Sequence, residues 1–193
     1  VAMAVKFVGV ISSAYAWHLL LIGQGIRYRF WHTIMTSFLI GRFIGTFLPS
    51  TIGLDGYTLY EAGTYSNEWP RAITAKVLEK FIGITGLFLG MVITLPFGYG
   101  VLVDVCEKLD KPGAAPVLAG AILAVAGGVS LVVTIGLIWP GLIIWTMGIV
   151  GKVAPAGLKG HVEKFTDAVG AYRGQVKLLM LVLLNKFVTH FTT

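Results

Sequence analysis

Apolar residues in this chain come in long blocks, with few short runs at strand spacing. Residues 2–23, 72–97 and 117–150 each hold the roughly 20 apolar positions that a helix needs to cross a bilayer, and a fourth block runs over 176–193. Between the first two blocks the pattern breaks. Residues 33–48 would form about 24 Å of apolar helix, short of a hydrocarbon core of roughly 30 Å. Pro49, Gly53 and Gly56 then interrupt helix formation. Residues 57–65 predict a second short helix, so 33–65 is expected to be a re-entrant hairpin of two half-helices that enters and leaves on one side. Irregular backbone at membrane depth survives only where protein or a wet cavity satisfies it, which makes the turn a natural place for a working site.

The polar positions suggest an orientation. Arg27 and Arg29, interleaved with Tyr28, Phe30 and Trp31, form an interfacial elbow after the first span. The stretch 151–175 carries Lys152, Lys159, Lys164 and Arg173, with Leu158, Val162, Phe165 and Val169 at helical spacing, and is expected to be an amphipathic surface segment. Residues 98–115, with Asp104, Glu107 and Asp110 against Lys108 and Lys111, are expected to form an acidic loop. The positive-inside rule puts both basic segments in the cytoplasm and the acidic loop outside. That arrangement requires the hairpin to re-enter and 117–150 to cross once as a long helix kinked at 139–141. The expected fold is an all-α integral membrane protein, a polytopic helical bundle forming a single transmembrane domain over 1–193. Both ends lie in apolar sequence, so the chain is expected to be a fragment of a larger protein.

Composition agrees with this class. The chain is 56% hydrophobic and 12% charged, about half the charge of an ordinary soluble domain, and its mean hydropathy is +0.83. The net charge of +6 then reports topology and attraction to anionic lipid, since no basic cluster patterned for nucleic acid is present. Cys106 is the only cysteine, and His18, His32, His161 and His190 lack metal-ligand spacing. Nucleotide-binding loops and hydrolase signatures are missing from the sequence, which calls for no cofactor or metal and offers no catalytic constellation.

The candidate residues are the ionisable groups inside apolar sequence, because such groups are costly there unless paired or wet. Glu79 and Lys80 stand about 14 Å along their helix from Pro70. Lys76 shares their face at spacings of three and four residues, which equally suits an internal Glu–Lys pair that only fixes packing. Asp55 suits either a cap on a half-helix starting at Gly56 or a cavity opposite Arg42 or Lys80. Arg42, within apolar 38–45, is an apt phosphate ligand or a snorkelling cation. Gly41 and Gly45, and Gly86 and Gly90, have the small-residue spacing of close helix packing.

The stretch 47–60 (FLPSTIGLDGYTLY), followed by 77–83 (VLEKFIG), resembles the lysylphosphatidylglycerol synthase transmembrane-region family. That family has a Leu-Pro-Ser turn leading to Gly-Gly-Asp and an Arg, then an acid–Arg–x–x–Gly motif on the next helix. Pro49 and Ser50 match the turn, Gly53 its first glycine, Asp55 the acid, Glu79 and Lys80 the acid–base pair, and Gly83 the last glycine. Leu54 and Thr58 depart from the second glycine and the Arg, leaving Arg42 as the substitute cation.

The resemblance implies the flippase-type membrane domain of multiple peptide resistance factor-like proteins, with this chain as the first of two inverted repeats. Lipid translocation is the function it implies, with Arg42, Ser50, Asp55, Tyr57, Glu79 and Lys80 at the substrate and Pro49, Gly53, Gly56 and Gly83 shaping the turn and its surroundings. The expected partners are anionic or aminoacylated phospholipid or a polyprenyl-linked sugar, a second copy in a homodimer, and a fused or associated soluble domain. The expected location is a prokaryotic inner membrane. Two rival functions are an integral-membrane enzyme or accessory subunit of lipid-linked glycan or glycolipid synthesis, and a non-catalytic anchor.

Overall fold

A computed structural model describes residues 2–47, 52–111, 113–139, 141, 145, 166 and 170–192. The described residues are helical, without strands. The principal helices are α1 (Ala2–Gly23), α2 (Met35–Phe47), α3 (Ile52–Ser66), α4 (Trp69–Lys108), α5 (Ala114–Ile138) and α6 (Val176–Thr192), with a π-helical turn at Phe30–Ile34 leading into α2. Three of them, α1, α4 and α5, are long and apolar enough to cross a membrane.

Helix stops follow local chemistry. Gly25, at φ +81°, takes the left-handed position after α1, and Ile26 N–H reaches back to Leu21 C=O at 2.9 Å. Asp110, at φ +57°, plays the same part after α4, where Lys111 N–H bonds Cys106 C=O at 2.9 Å. Asn67, also left-handed, separates α3 from α4, and Pro70 occupies the first turn of α4, where its missing N–H is not needed. Hydroxyls inside the helices turn back on their own backbone: Thr58 donates to Leu54 C=O at 2.8 Å and Thr85 to Phe81 C=O at 2.9 Å. Such bonds keep polar groups satisfied where water is scarce.

Helix α1 coincides with the first apolar block, and the second block differs. The block 72–97 belongs to a 40-residue helix, α4, which runs through most of the expected 98–115 loop and leaves only 109–113 as the turn to α5. The charges of 98–115 suggested a loop, but α5 packs against α4, and Pro96 is accommodated inside the helix. Lengthening α4 also moves its charges relative to its apolar part. Residues 81–103 carry no charged side chain and span about 34 Å on their own, so Glu79 and Lys80 stand at the end of this stretch. Helix α5 ends at Ile138 with Trp139 as its cap, at the expected kink, and most of 140–150 lies outside the described residues. Most of the amphipathic segment 151–175 lies outside the described residues.

The core gathers on α1. Of its most apolar window 61% is buried, against 17% for α4 and 22% for α5. Trp17, Leu20 and Leu21 of α1 meet Phe38 of α2, Ile82 of α4 and Leu179 and Val182 of α6, all buried. The antiparallel α1–α6 seam is narrow because small residues line it, and Ser12 Oγ donates across it to Asn185 Oδ1 at 2.9 Å. In lipid, where apolar burial gives little drive, close packing and interhelical hydrogen bonds do this work. The remaining faces of α4 and α5 display Phe97, Val101, Val117, Val125 and Leu131 outward. So extensive an apolar surface suits lipid and would be an aggregation hazard in water.

Candidate functional site: an ion-pair chain beside a cavity

The α2–α3 hairpin supplies one wall. A Cβ on Gly53 would lie 2.5 Å from Gly45 N, and one on Gly41 would lie 3.1 Å from Leu54 Cα, so the backbones touch where side chains would separate them. Gly53 and Gly56 lie within α3 and not in the turn: α3 begins at Ile52, five residues before the expected start at 57. Pro49 and Ser50 fall outside the described residues. The early start also changes the part played by Asp55. It sits in the first turn of α3, where a carboxylate suits the helix dipole, and its side chain reaches across to α4 instead of capping a helix at Gly56.

There it meets two lysines. Asp55 Oδ1 is 3.5 Å from Lys76 Nζ, and Oδ2 pairs closely with Lys80 Nζ. Lys76 Nζ donates to Glu79 Oε2 at 2.7 Å, and its ammonium lies 4.0 Å from the centre of the Trp17 ring, a cation–π contact. Glu79 Oε1 accepts from Lys186 Nζ of α6 at 2.5 Å, and Lys186 also donates to Ser13 Oγ of α1 at 3.2 Å. Four helices are thus joined in one chain, Lys80–Asp55–Lys76–Glu79–Lys186–Ser13. Glu79 finds its partner on its own helix in Lys76, three residues back, and not in the adjacent Lys80.

Burial grades this chain. Lys76, Glu79 and Lys186 are buried, whereas the Lys80 side chain is 49% exposed and that of Asp55 22%. Buried charges of this kind persist only when paired and hydrogen-bonded, and Glu79 has a cation on each oxygen. Three ammonium groups face two carboxylates, leaving one positive charge in excess. A cavity of about 310 Å³ opens beside them, lined among others by Arg42, Asp55, Glu79, Lys80, Gly83 and Lys186. Arg42 is exposed and forms no ion pair among the described residues. On the far side His190 Nε2 lies 2.9 Å from Gly83 C=O, which fixes that nitrogen as the N–H donor.

Of the expected substrate residues, Arg42, Asp55, Glu79 and Lys80 converge on the cavity and Tyr57 is not among its lining residues. Gly83 also lines it, with its carbonyl held by His190. Lys186, Ser13 and Trp17 were not singled out from sequence. Lys186 did carry a signal, as an ammonium within the apolar block 176–193. Ser13 and Trp17 carried none, since a serine and a tryptophan in an apolar helix are ordinary. Comparison with protein-family models, curated proteins and solved structures finds no match to this chain.

Proposed function

We propose that the chain is the membrane portion of a lipid translocator of the lysylphosphatidylglycerol synthase transmembrane-region type, acting on an anionic or aminoacylated phospholipid or a polyprenyl-linked sugar. One observation carries this reading: a charged cavity with excess cation, and an arginine at its edge, stands at the end of the uncharged stretch of α4. A headgroup held there is desolvated against fixed charges while its acyl chains remain beside the apolar faces of α4 and α5. Lowering the desolvation barrier in this way moves a lipid between leaflets without covalent chemistry. Arg42, Asp55, Glu79 and Lys80 line the headgroup site, with buried Glu79 fixing its geometry through Lys76 and Lys186.

The hairpin is re-entrant in this proposal. The arm 30–47 is at most about 27 Å long and α3 about 22 Å, both short of a hydrocarbon core of roughly 30 Å. A second, inverted repeat completes the transporter, as in folds whose substrate sits at a repeat interface. A homodimer and a soluble domain fused to or associated with this one, in a prokaryotic inner membrane, belong to the same reading. The enzyme alternative is less well supported, because every carboxylate oxygen of Asp55 and Glu79 already faces an ammonium group, leaving none open to accept a substrate proton.

The test is leaflet-resolved lipidomics on cells lacking the full-length parent gene, complemented with wild type or Asp55→Asn. A lipid still made but confined to the inner leaflet, and restored to the outer leaflet only by wild type, supports translocation and names the cargo. Loss of a lipid from both leaflets would favour the enzyme reading. An unchanged lipid distribution would leave a membrane anchor.

A further inference from the structure

The ion-pair chain has a closed half and an open half. Glu79, Lys76 and Lys186 are buried and satisfied in every direction described above, so no ligand enters there without dismantling the packing of α1, α4 and α6. Lys80 differs. Half its side chain is exposed, it lines the cavity, and its partner is Asp55, the residue through which the α2–α3 hairpin holds α4 electrostatically. Arg42 belongs to the same hairpin and lines the same cavity, and its guanidinium has no ion-pair partner among the described residues. An anion with several oxygens is the ligand that such a pair of cations accepts. Phosphate is the best match, since guanidinium donors fit its geometry and an ammonium serves as a point charge.

We propose that a phosphate group binds between Arg42 and Lys80 by displacing Asp55 from Lys80, and that this exchange releases the α3 arm of the hairpin from Lys80 while joining the α2 arm to α4. The proposal rests on the lipid reading above and divides the labour of its site. Arg42 and Lys80 are the ligands, Asp55 is the competitor that keeps the empty site closed, and Glu79 is scaffold. The site can take the added anion because its cations outnumber its carboxylates, and on Lys80 the phosphate replaces the carboxylate one for one. Asp55 retains Lys76 as a partner at 3.5 Å, so the hairpin is released at one contact and remains tethered at the other. The cost of opening is small because the Lys80 bridge is partly solvated. Arg42 adds what Asp55 cannot, a ligand contact from α2 to α4. Phosphate binding and hairpin movement therefore become a single event.

The experiment uses the chain in phosphatidylcholine nanodiscs doped with phosphatidylglycerol, with glycerol phosphate as a soluble competitor. Binding is measured by lipid retention in native mass spectrometry. Hairpin position is measured by the distance between spin labels at Gly56→Cys and Phe81→Cys, both exposed positions, in a Cys106→Ser background. Arg42→Gln and Lys80→Gln should each weaken phosphatidylglycerol binding at least about tenfold, the loss of a charged hydrogen bond. Asp55→Asn should bind more tightly than wild type and show the longer label distance before lipid is added.

Arg42 is exposed, so its variant is expected to fold; elution as a single species checks Asp55→Asn and Lys80→Gln. If phosphatidylglycerol binds but Asp55→Asn weakens it, the competitor role is overturned while the lipid reading stands. Binding without a change in label distance overturns the coupling alone. If glycerol phosphate displaces the lipid at equal concentration, the phosphate site stands and its ligand is a soluble phosphate, so the lipid reading falls. No binding of either probe overturns the proposal, and the lipidomic test then decides separately on translocation.

Discussion

Lys186 and Glu79 lie 107 residues apart in the chain and 2.5 Å apart in space. Their contact joins the last described helix to the fourth, and both side chains are buried. Deleting Glu79 strands the Lys186 ammonium, and deleting Lys186 leaves one Glu79 oxygen unpaired; breaking a buried pair costs up to about 3–5 kcal/mol, whereas replacing both removes most of that penalty. Lys186→Met alone should therefore destabilise the bundle strongly, and Glu79→Gln more so because Lys76 also loses a partner. The double variant Glu79→Gln/Lys186→Met should recover part of the loss. Denaturant unfolding in mixed micelles gives the four stabilities; purely additive losses would show that the pair is not coupled.

Part of this site was legible beforehand. Lys76, Glu79 and Lys80 stand at spacings of three and four on one helix, so a shared face followed from helical geometry. The partner of Glu79 on α6 was not legible, because no local pattern says where residue 186 returns to the bundle. Asp55 was ambiguous for a related reason. Within its own segment a carboxylate after Gly53 and before Gly56 suggests a helix cap, and only the approach of α4 turns it into a bridge. The apolar block 2–23 coincides with α1 because the helix runs until just before the left-handed Gly25. The run beyond residue 97 was misread because the charges after Gly98 and Gly100 suggest a loop. Packing against α5 outweighs the roughly 1 kcal/mol that each glycine costs a helix.

Two glycines of α3 should respond oppositely to alanine. A Cβ at Gly53 meets Gly45 backbone at 2.5 Å, and backbone does not swing aside as a side chain does. Gly53→Ala should force α2 and α3 apart and lower thermal stability sharply. At Gly56 a Cβ finds nothing within 4 Å, so Gly56→Ala should gain up to about 1 kcal/mol from helix propensity. Thermal unfolding of the two variants provides the comparison, and equal effects would contradict the close approach of the hairpin arms.

Tyr172 precedes α6, and its hydroxyl donates to Leu20 C=O near the end of α1 at 2.7 Å. Burial pushes its phenol above the usual value near 10. The sign follows from linkage: the folded state holds the proton more tightly than the unfolded state, so this stability is complete below about pH 10 and is lost as pH rises beyond it. Tyr172→Phe should cost about 1 kcal/mol at neutral pH through the lost hydrogen bond. It should also flatten the alkaline fall in melting temperature. An unchanged alkaline slope would assign that fall to other groups.

The proposed re-entry of the hairpin makes a geometric prediction that helix lengths alone do not settle. Arg29 precedes α2, and Asn67 follows α3 at its left-handed stop. A re-entrant hairpin returns to the surface it left, so both positions face the same compartment; a hairpin that crosses puts them on opposite sides. The charge bias favours the first arrangement, because it keeps Arg27 and Arg29 in the cytoplasm and places the α4–α5 turn, with Asp110, outside. Single cysteines at Arg29→Cys, Asn67→Cys and Asp110→Cys, each with Cys106→Ser, can be probed with a membrane-impermeant maleimide on sealed vesicles of both orientations. Labelling of the first two from the cytoplasmic side and of the third from the other is the expected pattern. If Asn67→Cys instead labels together with Asp110→Cys, the hairpin crosses and α4 does not, and the site at Lys80 must then be placed on the outer side of the apolar stretch that follows it.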